Sequence, residues 1–127
     1  MGQQQMILLL LVVIVTTVAI SVGFTMFRDH AAATNRDAIS NDLLAFGAQA
    51  QIFQAKPASL GGGQGSMLGF TLFGTPKNAN GVFDVVSTTS TGVLIEGIGL
   101  ETGYDGINPV KILVRVSRDS MSVVEIN

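Results

Sequence analysis

Cysteine and tryptophan are absent from this 127-residue chain, tyrosine and histidine each occur once, and there are only three prolines. Without cysteine there is no disulfide scaffold, thiolate metal site, cysteine nucleophile or lipoprotein anchor. With one aromatic hydroxyl and no indole, a stacking platform for bases or sugars is not expected. These absences remove several classes of enzyme and binding protein, and the length allows one domain.

Charge is scarce and unevenly placed. Charged residues make up 13% of the chain, against about 25% in typical soluble domains. All nine acidic and all seven basic residues follow position 27. A net charge of −2 without a basic cluster argues against nucleic acid, or an anionic lipid surface, as the main partner. The uncharged start excludes an ordinary cytosolic protein, and the 47% hydrophobic content excludes an intrinsically disordered one.

Residues 6–27 form one long apolar run. As a helix, these 22 residues would span about 33 Å, enough to cross a bilayer. A helix that is apolar on every side must lie in lipid or among other apolar helices. A cleaved signal peptide fits poorly, because the start carries no positive charge and the apolar core is too long. A plain membrane anchor remains an alternative.

The helical pattern continues beyond the apolar run, to about Ala55. Apolar residues recur there in steps of four, three, four and three, which predicts one buried stripe along a helix. The stripe comprises Ile39, Leu43, Phe46, Ala50 and Phe53. Polar residues fall largely off it, namely Arg36, Asp37, Ser40, Asn41, Asp42, Gln49, Gln51 and Gln54. We expect one continuous but bent helix from about Gln3, although Thr34-x-x-Asp37 resembles a capping box and leaves a break near Thr34 open.

The second half of the chain has the alternation of strands. A glycine-rich loop over residues 57–66 ends the helix; it lacks the Lys-Ser/Thr pair of a phosphate-binding loop. Strands are predicted over residues 67–73, 82–88, 93–100, 110–117 and 121–126, with loops over 74–81 and 101–109 and a tight turn at 118–120. Connections this short favour an antiparallel meander, whose one face the amphipathic helix would cover. The expected fold class is therefore α+β, with a long N-terminal helix on an antiparallel sheet of four or five strands.

Chemistry-bearing residues do not converge on a catalytic, cofactor or metal site. His30 has no nearby serine or cysteine nucleophile in sequence and sits beside Arg28 and Asp29 at the end of the apolar run, as an interfacial polar residue would. Glu101, Asp105 and Asn108 share one loop but lack the ordered spacing of a calcium loop. No enzyme activity and no cofactor are predicted.

An uncharged helix that continues as an amphipathic one and then packs on a small antiparallel sheet resembles the type IV pilins and the pseudopilins of type II secretion. The resemblance rests on residues 1–55. Two features depart from the common bacterial pattern. Many pilins have a glutamate at the fifth mature residue; that position is Gln5 if the mature chain starts at Met1, and Ile7 if a leader is cut after Gly2. An amide such as Gln5 can hydrogen-bond but cannot form an ion pair. Val22 and Gly23 stand where many have a helix-kinking proline.

The resemblance implies a structural role. Residues 1–27 would span the cytoplasmic membrane before assembly and form the filament core afterwards, and residues 28–127 would be the globular head. The expected partners are identical subunits, the inner-membrane assembly machinery and the membrane itself, and the expected location is an extracellular filament at the cell surface. A secretion pseudopilin and a single-pass anchored binding module are the alternatives. The implied self-association residues are Gln5, Met6, Leu9, Leu10, Leu11, Val13, Ile14, Val18 and Phe24.

Overall fold

The computed structural model describes residues 2–74 and 76–127 and has an α+β fold. Met1, in the predicted apolar helix, and Thr75, in the predicted 74–81 loop, lie outside the described residues. The elements are α1 (Gly2–Ala55), a 3₁₀ turn (Ala58–Leu60), β1 (Gly81–Thr88), β2 (Gly92–Thr102), β3 (Pro109–Ser117) and β4 (Met121–Glu125). The chain divides into two compact units between residues 31 and 32.

Helix α1 is continuous over 54 residues, as the sequence pattern predicted. The Thr34-x-x-Asp37 sequence does not interrupt it. The helix ends just before Pro57, because a proline disfavours helical geometry in the residue that precedes it. One helix therefore contains both the uncharged run and the amphipathic stripe.

The glycine-rich loop folds back onto the end of α1. The backbone N–H groups of Gly63 and Gly65 donate to the carbonyls of Phe53 and Gln54, each at 2.7 Å. The side-chain amide of Gln54 donates to the Gly65 carbonyl at 3.0 Å. The two backbone bonds satisfy carbonyl groups at the helix end, where intrahelical partners run out, and the Gln54 amide satisfies a carbonyl of the loop. Gly65 has a φ of +91°, a conformation that glycine adopts without steric cost.

The four strands form one antiparallel meander in the order β1-β2-β3-β4. On β3 the alternation predicted from the sequence is confirmed: Val110, Ile112, Val114 and Val116 are fully buried, whereas Lys111 and Arg115 belong to the opposite face. The 118–120 turn is also confirmed, since Val116 pairs with Met121 and the N–H of Ser117 donates to the Ser120 carbonyl. The sheet thus buries one face, and β3 contributes only apolar side chains to it.

The prediction of a strand over residues 67–73 was wrong: the sheet begins at Gly81 rather than at residue 67. Met67 and Phe70 are nevertheless buried in the core. They are three residues apart, and Gly69 between them has a φ of +81°, so this segment is a turn rather than an extended strand. Its apolar residues close the core from a loop; the ring of Phe70 lies 5.7 Å from that of Phe53.

Glycine on β2 lets the helix approach the sheet closely. A Cβ atom at Gly97 would lie 2.7 Å from Ile39 Cγ2 and 3.2 Å from Leu43 Cδ1. Real Cβ atoms essentially never come within 3.0 Å of a neighbour, so a larger residue at Gly97 would force Ile39 to shift. The small side chain at this position therefore sets the spacing at which the amphipathic stripe packs on the sheet.

Candidate functional site

The apolar segment, residues 6–27, presents its side chains to the outside of the chain. Sixteen large apolar side chains in it are each between 53% and 72% exposed. Among the described residues, α1 is the one helix long and apolar enough to cross a membrane. Eight of the nine predicted self-association residues lie in this segment and Gln5 lies directly before it. All nine are exposed, namely Gln5, Met6, Leu9, Leu10, Leu11, Val13, Ile14, Val18 and Phe24. Burying these side chains requires lipid or another molecule.

Four hydroxyl groups within the apolar segment are satisfied by the helix itself. Thr16 donates to the Val12 carbonyl at 2.7 Å, and Thr17 donates to the Val13 carbonyl at the same distance. Ser21 and Thr25 bond in the same way to the carbonyls four residues before them. A hydroxyl that is already bonded can leave water at a smaller cost than a free one. These four hydroxyl groups therefore keep a hydrogen-bond partner when the segment is surrounded by an apolar environment.

A shallow groove lies on the apolar segment between four side chains: Met6, Leu9, Leu10 and Val13. Its volume is about 290 Å³. The four positions have the i, i+3, i+4, i+7 spacing that forms a hole for a side chain of a facing helix in knobs-into-holes packing. All four lining residues are among the predicted self-association residues.

The second half of α1 packs within the chain. Of the predicted head-core residues, Ile39, Leu43 and Ala50 are fully buried, and Phe46 and Phe53 are half-buried against the same cluster. The ring of Phe46 lies 5.0 Å from that of Phe83 on β1. The predicted stripe is therefore the helical side of the core.

The outward side of this half carries no charge over residues 43–55. Leu44, Ala45, Ala48, Ile52 and Ala55 are exposed there, Ile52 by 66%. On a helix at a protein surface, the face opposite the apolar stripe is exposed to water and normally carries charged residues. The helix of the head thus has, besides its buried stripe, an outward surface with few polar groups. The sequence pattern did not reveal this surface, because its residues stand between the positions that form the buried stripe.

Arg36 and Gln54 were assigned to the polar side of the helix, and this was wrong: each is only 6% exposed. Arg36 Nε lies 3.8 Å from a Glu125 carboxylate oxygen, and its guanidinium carbon lies 3.6 Å from the centre of the Tyr104 ring. The position could have been found, since Arg36 precedes Ile39 by three residues and so continues the spacing of the stripe. Its partners Tyr104 and Glu125 are 68 and 89 residues away in sequence, so no sequence pattern could have identified them.

Two further polar residues attach the helix to the sheet, and the sequence gave no sign of them. Asn35 Oδ1 accepts hydrogen bonds from the N–H groups of Leu100 and Glu101, at 3.2 and 3.3 Å. One Asp42 carboxylate oxygen accepts from the side-chain amides of Asn78 and Asn80, both at 2.8 Å. These bonds fix the end of β2 and the segment before β1 against one side of the helix.

Glu101 lies near the end of β2, and in the loop that follows, Asp105 uses its carboxylate oxygens within the loop. The Asp105 carboxylate accepts hydrogen bonds from the N–H groups of Ile107 and Asn108 and from the Asn108 side-chain amide. These bonds favour the ionised form and hold the pKa of Asp105 well below its usual range. No group of three or more metal-ligating His, Cys, Asp or Glu side chains occurs among residues 2–74 and 76–127. The arrangement has the geometry of a rigid turn.

No known protein family, curated protein or solved structure matches this chain. The features of the chain that bear on its function are therefore the exposed apolar segment and the head that follows it.

Proposed function

We propose that this chain is the structural subunit of an extracellular type IV pilus-like filament, assembled through the apolar segment. The observation that carries the proposal is the exposure of sixteen large apolar side chains on a segment whose hydroxyls are already bonded to its own backbone. Each fully buried Leu, Ile, Val, Phe or Met contributes about 1.5–3 kcal/mol relative to exposure. Covering this surface is thus a large driving force for insertion into a membrane and for packing among identical helices.

The uncharged outward face of residues 43–55 favours a filament over a simple anchor. An anchored head needs no apolar surface on a helix that projects into water. A helix that packs beside copies of itself beyond the membrane segment does need such a surface. The small side chains of Ala45 and Ala48 would let two helix backbones approach closely. The same surface would then be covered by neighbouring subunits after assembly.

Gln5 has a place in this proposal. Gln3, Gln4 and Gln5 are exposed in the first turn of α1, immediately before the apolar segment. Glutamine side chains that are withdrawn from water form hydrogen bonds between neighbouring helices. In the filament, Gln5 would pair with amide or backbone groups of an adjacent subunit, in place of the ion pair that a glutamate would form.

The proposed assembly defines the remaining roles. The chain is a structural protein and not an enzyme; its partners are identical subunits, the inner-membrane assembly machinery and, before assembly, the membrane. Its final location is the cell surface, reached from a single-pass precursor. The polar groups of the head, including the Arg36 and Asp105 contacts, serve to keep the head folded in water.

Leu11→Lys tests this proposal. A lysine near the centre of a spanning helix costs about 2.5–3.5 kcal/mol on insertion scales, which the remaining apolar residues offset. In a filament core the lysine would repeat in every subunit without a carboxylate in residues 1–27 to pair with it. We expect the variant to stay in the membrane and to form no surface fibres. The measurement combines membrane fractionation with negative-stain microscopy and mass spectrometry of sheared fibres.

Leu11→Met is the matched control, because it keeps the volume and the apolar character of the side chain. It should give fibres like the unmodified chain. Normal fibres from Leu11→Lys would contradict a packed helical core at this position. Fibres that lack the chain altogether, in cells that express it, would overturn the filament proposal and leave the anchored module.

A further inference from the structure

Asn80 and Gly81 form a dipeptide that is chemically unstable in water. The backbone nitrogen of the glycine can attack Cγ of the asparagine, because glycine has no Cβ atom to hinder the approach. The other asparagines with a following residue precede a larger residue or a proline; they are Asn35, Asn41, Asn78 and Asn108. Intrinsic reactivity therefore singles out Asn80.

The reaction is a deamidation. The Gly81 nitrogen loses its proton and forms a bond to Asn80 Cγ, while the bond from Cγ to Nδ2 breaks and the amide nitrogen leaves as ammonia with that proton. Water then opens the five-membered imide and leaves an aspartate, which is joined to Gly81 through either its α-carboxyl or its side-chain carboxyl group. Water is the only co-reactant.

The fold holds this dipeptide in a closed arrangement. Asn78 Oδ1 accepts hydrogen bonds from the N–H groups of both Asn80 and Gly81, at 2.9 and 3.1 Å. The Asn80 side-chain amide donates to Asp42 Oδ2 at 2.8 Å, and the Asn80 carbonyl accepts from the Asn35 side-chain amide at 2.8 Å. The attacking nitrogen and the leaving amide are thus both engaged in hydrogen bonds that the reaction must break.

Gly81 cannot be exchanged for a residue that would hinder the attack. It pairs with Gly99 on β2, and a Cβ atom at Gly81 would collide with the carbonyl oxygen of Ile98. Glycine is required at this position because β1 and β2 approach each other closely there. The unstable dipeptide is therefore built into the start of the sheet, and its lifetime depends on the hydrogen bonds that hold Asn80.

We propose that Asn80 is a deamidation site that Asp42 keeps closed and that opens when the start of β1 separates from the helix of the head. The reaction replaces the amide that Asp42 binds by a second carboxylate at the same place, and two like charges at this distance repel. A head that has once opened there keeps a weaker attachment of β1. This inference concerns the head alone and goes beyond the proposed filament.

Mass spectrometry of peptides measures the reaction at each asparagine. The full chain in detergent micelles is incubated in mildly alkaline buffer beside a synthetic peptide of residues 77–84, which has the reactive dipeptide without the fold. We expect Asn80 to deamidate at least about tenfold more slowly in the folded chain. A factor of ten corresponds to about 1.4 kcal/mol, close to what one hydrogen bond to a charged group contributes.

Three variants test the role of Asp42. Asp42→Ala removes the acceptor of the leaving amide and should speed deamidation of Asn80 about tenfold, towards the rate of the peptide. Asp37→Ala is the matched control, because it removes an exposed aspartate from the same helix, and it should leave the rate unchanged. Asp42→Asn keeps an acceptor oxygen without the charge and should give a smaller increase; it decides the test if thermal unfolding shows that Asp42→Ala does not fold.

Asn80→Asp copies the product of the reaction. At neutral pH it should unfold at a lower temperature than Asn80→Ala, because alanine loses the bond to Asp42 without adding a charge. If it does not, deamidation leaves the attachment of β1 unchanged and that part of the proposal is wrong.

The other outcomes overturn the site or its protection separately. A peptide that does not deamidate would show that Asn80 is not a reactive site. Equal rates in the peptide and the folded chain, or in Asp42→Ala and Asp37→Ala, would show that Asp42 does not protect it. None of these results depends on whether fibres form.

Discussion

Residues 2–31 and 32–55 belong to one uninterrupted helix, but the two parts differ in how far their side chains are buried. Residues 2–30 are exposed at every position, whereas Ile39, Leu43 and Ala50 are fully buried against the sheet. The first part is the more apolar of the two and is nevertheless the one left uncovered. Hydrophobicity alone therefore does not say where a segment is buried; the availability of a matching surface in the same chain does.

Charge differs between the two parts for the same reason. The first part has no charged residue before Arg28, so no face of this part has a charge that must stay in water. In the second part, Asn35, Arg36 and Asp42 each bind a particular group on a loop or strand. Polar contacts of this kind fix the head in one arrangement, whereas the uncharged surface of the first part accepts lipid or any helix of complementary shape.

Removing residues 1–27 should have the largest effect, because it deletes the exposed part of α1 and keeps the part that is buried against the sheet. The fragment 28–127 keeps every core contact between helix and sheet and loses the exposed apolar surface, so we expect it to be folded, soluble and monomeric without detergent. Light scattering gives its mass, and a cooperative thermal transition shows that it is folded. Filaments formed by this fragment would show that the head alone carries the assembly contacts.

Two adjacent leucines offer a sharper test within the head. Leu43 is fully buried beneath Gly97, so Leu43→Ala should lower the free energy of unfolding by about 2–5 kcal/mol. Leu44 is 38% exposed on the outward face, and Leu44→Ala should cost roughly 0.5–1 kcal/mol. Thermal or urea unfolding of the fragment measures both. Equal losses would mean that the outward face is part of the core.

The smallest expected effect is a dependence of head stability on acid. Hydrogen bonds from Ile107 and Asn108 lower the pKa of Asp105 in the folded state, so its stabilising contribution is complete above the ordinary aspartate pKa of about 4 and is lost as pH falls below it. Asp105→Asn should therefore be less stable than the unmodified fragment at pH 7, with a difference that shrinks in acid.

Asp119→Asn, on the exposed 118–120 turn, changes the net charge equally and is the control for this measurement. It should not reproduce the acid-dependent difference. Residues 1–27 contain no acidic, basic or histidine side chain, so assembly through them should vary little over the same pH range. A stability difference for Asp105→Asn that does not change with pH would show that the loop tolerates loss of the carboxylate charge.

Much of the helix and of the sheet was predictable from local pattern. The span of α1, the buried positions of β3 and the tight turn before β4 followed from the spacing of apolar residues and from turn-forming residues. The segment 67–73 was mistaken for a strand because alternation over so few residues does not distinguish a strand from a loop that closes a core. The turn at Gly69 was needed to orient Met67 and Phe70 inward.

The sequence by itself determined that residues 6–27 are an uncharged helix too apolar to remain in water, because composition and helical period are local properties. Only the tertiary structure decided which polar residues are buried. Arg36 meets Tyr104 and Glu125, and Asn35 meets Leu100, across 65 to 89 residues of chain. Those contacts depend on the register of four strands and on the close approach at Gly97, and no local pattern encodes them.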